Sequence, residues 1–149
     1  MARHFTFLIA SARRDGNTEL LTRKAAEHLP AGYGQQWLHL MDLPLSPFQD
    51  IRHSVGVYPQ PQGNERILFD ATLKASDLVF AVPLYWYSVP ASAKLYLDYW
   101  SGWLRVPAPI SRPAWQAKHC GAFRRYPMKI RSAPILSSAL SKSPPIISA

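Results

Sequence analysis

The sequence predicts an α/β protein built on a parallel sheet with helices on both faces. Two observations carry that class. Short, continuous runs rich in β-branched, aliphatic and aromatic residues, such as "HFTFLIAS" and "DLVFAVP", read as strands buried on both sides. Between and after them lie stretches with apolar residues at helical spacing, so strand and helix alternate three times before Arg105.

Taken in order, His4 to Ser11 is strand one. Asn17 or Thr18 is expected to cap the first helix, with Leu20, Leu21, Ala25 and Leu29 as its apolar stripe before Pro30 and Gly32. Gln36 to Leu43 reads as strand two. The proline- and glycine-bearing segment from Pro44 to Gly63 is a loop, long enough to suggest a functional or mobile element. Asn64 is expected to cap a second helix reaching about Ser76, with Ile67, Leu68 and Ala71 inward. Asp77 to Pro83 is strand three. Pro90 then stands near the first turn of a third helix carrying Leu95, Tyr96, Leu97, Tyr99, Trp100 and Trp103.

Charge is divided unevenly along the 149 residues. Ten of the 17 Lys and Arg and all 9 acids lie in residues 1–105, a net +1; the other 7 basic residues lie after Arg105, a net +7. Half of the 14 prolines also fall after Arg105, so the composition changes there. The single cysteine, Cys120, leaves no internal disulfide and no multi-cysteine metal or iron–sulfur site. The opening apolar run is too short for a signal peptide, and no stretch reaches the roughly 18 apolar residues of a membrane span. A cytoplasmic protein without a membrane partner is expected.

In a parallel sheet of this kind, ligands bind beyond the carboxyl ends of the strands, where strand order reverses. Two loops leave such ends: "SARRDGNT" after strand one and "PLYWYSVP" after strand three. The first opens a helix, whose free N–H groups and positive dipole end suit an anion, most often a phosphate. The triphosphate loop G-x-x-x-x-G-K-[ST] and the dinucleotide pattern G-x-G-x-x-G are both absent. A cysteine-dependent phosphatase is poorly supported, because Cys120 does not follow strand one. His4, His28, His39 and His53 show neither metal-ligand spacing nor a nearby partner, and no catalytic or metal-binding residue is assigned.

The two loops together resemble the flavin-contacting segments of the flavodoxin-like NAD(P)H-dependent FMN reductases and quinone reductases. "SARRDGNT" is similar to that family's S-x-R-x-x-G-N-T loop, and "PLYWYSVPASAKLYLD" to its second segment, with "DLPLSPF" after strand two adding to the likeness over about residues 3–105. The resemblance implies a doubly wound, three-layer flavodoxin-like sheet. It implies that Ser11, Arg13, Gly16, Asn17 and Thr18 hold the FMN phosphate, with Arg14 either on the phosphate or facing water. It implies that Pro83, Leu84, Tyr85, Trp86 and Tyr87 border the isoalloxazine. NADH or NADPH would deliver hydride to the flavin, and a quinone, a flavin or a similar small molecule would accept it. A homodimer is implied, and no nucleic-acid partner.

Simpler readings stand beside these. The first loop is also a turn plus helix cap, and Tyr85, Trp86 and Tyr87 are also ordinary core or interface aromatics. Tyr96, Trp100 and Trp103 are read as packing or subunit contacts rather than flavin ligands, and Lys94 with Asp98 as a solvated i, i+4 pair. Residues 106–149 offer no good strand-plus-helix unit and are expected to be divergent, as a frame shift or truncated product would give. A non-enzymatic flavin-binding electron carrier, an inactive product and a basic-tail nucleic-acid binder are the alternative functions.

Overall fold

The computed structural model describes residues 3–107. Its elements run β1 (His4–Ile9), α1 (Asn17–Ala26), β2 (Gly34–His39), α2 (Gly63–Lys74), β3 (Asp77–Ala81) and α3 (Ala91–Trp103). Each expected strand and helix is present; the strands end two to four residues earlier than read, and β2 also begins two residues earlier, at Gly34. The strands form a parallel sheet in the order β2-β1-β3. That is the order with which a flavodoxin-like sheet begins. The tail after Pro107 lies outside the described residues.

Alternation along β1 sorts its side chains onto two faces. Leu8 and Ala10, with Leu38 of β2 and Phe80 of β3, meet Leu68, Phe69 and Leu73 of α2 and Ala93, Tyr96 and Trp103 of α3 in one apolar core. Phe7 faces the other way, stacks on Trp37 of β2 at 4.0 Å between ring centres, and is overlaid beyond that ring by Arg23 of α1. Helices therefore cover both faces, as the apolar strands required.

The long segment between β2 and α2 is docked onto α3. Phe48 stacks on Tyr58 and meets Tyr99 edge-on, and the Tyr99 hydroxyl donates to the Ser46 carbonyl at 3.0 Å. A Cβ at Gly102 would lie 2.8 Å from the Tyr58 ring, so glycine is what lets the segment approach the helix.

Several local expectations are corrected. Neither Asn17, Thr18 nor Asn64 caps a helix: the caps are Gly16 and Gln62, without side-chain bonds, and the Asn64 amide instead donates to the Pro44 carbonyl at 3.0 Å. Leu20 and Leu21 are 54% and 52% exposed, and Ala25 is exposed too. The buried positions of α1 are Glu19 and Ala26, seven apart on one stripe, with the Glu19 carboxylate 3.5 Å from His39 at the end of β2. Ile67 is exposed, while Leu68 and Ala71 do face inward. Pro90 is the N-cap of α3, and Tyr96 and Trp103 are packing residues, as read. Lys94 and Asp98 do form their ion pair on the exposed side.

Tyr96 is fully buried and its hydroxyl shares a 2.6 Å hydrogen bond with Thr72. Burial pushes its phenol up to about 12. An unfolded phenol ionises near 10, so between pH 10 and 12 the unfolded state holds fewer protons and stability falls as pH rises. The expected loss is about 2–3 kcal/mol across that window. Urea unfolding at pH 9 and pH 12 checks it, and Tyr96→Phe should remove this part of the slope.

Candidate functional site

The site is defined by where three parallel strands end. Ile9 pairs with His39 on one side and Ala81 on the other. Past those pairs the Ala10 N–H donates to the Ala81 carbonyl at 3.0 Å, and the Leu40 N–H to the Ile9 carbonyl at 2.9 Å. Residues 10–16 and 82–90 therefore leave the sheet at the same edge, from adjacent strands. With β2 and β3 on opposite flanks of β1, this edge is the switch point of strand order, where a crevice opens in such folds.

The first loop is built to expose backbone donors. Ser11 is buried, and its hydroxyl serves the loop itself, donating to the Arg13 carbonyl at 2.9 Å and accepting the Arg13 N–H at 3.2 Å. Asp15 takes the left-handed conformation, with φ 53°. Gly16 is buried, caps α1 in extended conformation, and no side chain caps the helix. The first helical bond is that of the Leu20 N–H to the Gly16 carbonyl, so the N–H groups of Asn17, Thr18 and Glu19 have no partner within the helix. Asn17 is exposed and Thr18 half-buried at its first two positions.

Two arginines border this helix start and differ in their partners. The Arg13 guanidinium folds over Gly16: a Cβ there would lie 3.3 Å from its Nε. Arg14 turns instead to Asp42, beyond β2, and forms an exposed ion pair. The lack of a side chain at Gly16 thus leaves a cradle between a guanidinium and unpaired backbone donors. A dianionic phosphate is the group such a donor set suits.

Beneath the loop lies a residue that the motif reading passed over. Glu19 is 2% exposed. It accepts two bonds from Arg23, at 2.6 and 3.0 Å, and the Asp15 N–H at 3.2 Å, and His39 stands 3.5 Å away. The Arg23 bonds hold its carboxyl below the usual carboxylate range in spite of burial. His39 therefore does have a partner, contrary to expectation, because it ends β2 on the face that α1 covers. The sequence carried no capping-box signal for it, since Gly16 stands three residues before Glu19 and the carboxylate takes the Asp15 N–H rather than that of the cap.

The second loop presents aromatic rings. Pro83 is half-buried, and Leu84 to Ser88 are exposed, with Trp86 at 96% and Tyr87 at 91%. Tyr85 and Ser88 exchange both backbone bonds, at 3.0 and 2.9 Å, closing a two-residue turn. Its central residues, Trp86 and Tyr87, have φ 46° and 60°. Such primed turns favour Asn-Gly, because left-handed backbone costs other residues about 1–2 kcal/mol each. Strain of this kind concentrates at ligand sites. Leu84, Tyr85, Trp86 and Tyr87 line an open depression.

A parallel α/β sheet with an uncapped helix start and an aromatic loop at its switch point defines a protein of flavodoxin-like architecture. The chain belongs to the NADPH-dependent FMN reductase family, whose model matches residues 4–126. It is similar, at 33% identity over 95 residues, to the Bacillus subtilis (strain 168) protein named "Putative NAD(P)H-dependent FMN-containing oxidoreductase YwqN". That alignment covers 64% of this chain and 50% of the relative, so the chain spans about half the length of the relative it matches. No solved structure gives a significant match. Among the described residues no helix is long and apolar enough to cross a membrane, and no group of metal ligands is assembled.

The turn gives a direct test of stored strain. Trp86→Asn with Tyr87→Gly supplies the residues that the primed geometry favours, and the unfolding free energy should rise by about 1–2 kcal/mol in urea titrations.

Proposed function

We propose that the chain binds FMN beyond the ends of β1 and β3 and acts as an NAD(P)H-dependent oxidoreductase. The acceptor in this proposal is a quinone, a free flavin or a similar small molecule. One observation carries it: the register of β1 against β3 brings a helix start without a side-chain cap and an aromatic loop to one edge of the sheet. Family membership supports the cofactor and the redox class.

The roles follow from chemistry already described. Arg13 neutralises phosphate oxygens with forked donors, and the N–H groups of Asn17 and Thr18 point at the same anion. Ser11 shapes the loop, and Gly16 leaves the room. Arg14 contributes less, since Asp42 already matches its charge. Pro83 to Tyr87 border the ring, with the Trp86 and Tyr87 faces free for stacking. Bound FMN supplies the hydride chemistry, accepting from the nicotinamide and giving to the acceptor. The chain supplies position, and no side chain of the site is required to transfer a proton.

The proposal extends to a homodimer, supported by the exposed Leu84, Trp86 and Tyr87, since large hydrophobic side chains grouped on a surface mark interaction sites. It also places the protein in the cytoplasm, a compartment that suits a single cysteine.

The purified full chain should show a flavin absorption spectrum that bleaches on anaerobic addition of NADPH or NADH. A colourless protein that takes up no FMN refutes the reading, and a bound flavin that neither nucleotide bleaches refutes its enzymatic part. Arg13→Ala should weaken FMN binding about 10- to 100-fold, the scale of a hydrogen bond to a charged group, and leave riboflavin binding unchanged. Fluorescence titration of the apoprotein measures both.

A further inference from the structure

We infer that Glu19 is a positioning residue for the phosphate loop, acting through the backbone of Asp15; the inference rests on the phosphate reading of that loop. A carboxylate at 2% exposure is a costly choice for a helix position that only has to pack, because desolvation of the charge must be offset by bonds. Its bonds are not distributed as packing would ask. One oxygen takes Arg23, four residues along the same helix, and lies near His39 at the end of β2. The other takes the N–H of Asp15, outside the helix, at the loop's left-handed residue. Glu19 thus ties the loop to the helix that it opens and to the end of the neighbouring strand.

The consequence for an anion is geometric. Asp15 is a non-glycine residue at φ 53° immediately before the cap. If its backbone relaxes, Gly16 and the first N–H groups of α1 no longer share one concave arrangement, and Arg13 loses the surface over which it folds. The negative charge of Glu19 acts in the opposite direction, repelling a phosphate. Arg23 compensates it within 3.0 Å, so the held backbone is the larger effect.

Glu19→Gln and Glu19→Leu separate the two effects, because both remove the charge and only glutamine retains an acceptor. Arg23 is half exposed and can turn to water, leaving the amide oxygen for the Asp15 N–H. The readout is the ratio of FMN to riboflavin affinity, measured by flavin fluorescence in the full-length apoprotein. The leucine variant should show a ratio about fivefold lower than the glutamine variant, the scale of one net hydrogen bond. Equal ratios in the two variants overturn the inference while the unaltered chain still prefers FMN. An unaltered chain that binds both flavins equally overturns the phosphate reading, and the inference with it. A purely structural role would lower both affinities together, leave the ratio unmoved and so also overturn it. Should the leucine variant fail to fold, amide exchange of the unaltered chain decides. The Asp15 N–H should exchange at least about tenfold more slowly than in an unstructured peptide, and exchange at the peptide rate overturns the inference.

Discussion

The structure depends on one constraint: β1 must pair in parallel on both sides. A strand so placed is enclosed by two neighbours and two helical layers, which explains why its residues from Thr6 to Ala10 are buried. Parallel pairing also forces every connection to cross back over the sheet, which brings all three strand ends to one edge. The Ala10 and Ala81 backbone bond is the last rung of that pairing, and the two loops diverge from it. Their joint location follows from the sheet and does not require a contact between the loops themselves.

The two loops use different means to hold shapes that unassisted backbone disfavours. In the first, a serine hydroxyl and a buried carboxylate bond to main-chain groups, and a glycine supplies the closeness that a side chain would prevent. In the second, a pair of backbone bonds closes a turn on two bulky aromatic residues that prefer another conformation. The first is ordered by its surroundings. The second stands out from the molecule with its rings in solvent, an arrangement that favours a planar partner.

Much of the site was legible as residue type and order. Hydroxyl, guanidinium, glycine and amide groups directly after a buried strand name an anion loop, and tyrosine and tryptophan between two prolines name an aromatic one. The errors share one physical cause. Leu20 and Leu21 looked like the inner stripe of α1, yet the stripe that faces inward is that of Glu19 and Ala26, with Glu19 beside His39 of β2. Asn17, Thr18 and Asn64 looked like caps, yet a cap requires extended backbone at that residue, and here the chain assigns it to Gly16 and Gln62. His39 looked isolated because its partner lies twenty residues earlier, on the helix across the sheet face.

By itself the sequence determined the fold class, the number and order of elements among the described residues and the chemical character of both loops, because these rest on local composition and on periods of two and 3.6 residues. Tertiary structure alone decided that β1 sits between β2 and β3, that Arg14 faces Asp42 while Arg13 covers Gly16, and that Trp86 and Tyr87 occupy left-handed backbone. Those outcomes depend on groups far apart in the chain competing for the same bonds and the same space, and a local pattern carries no record of which competitor prevails.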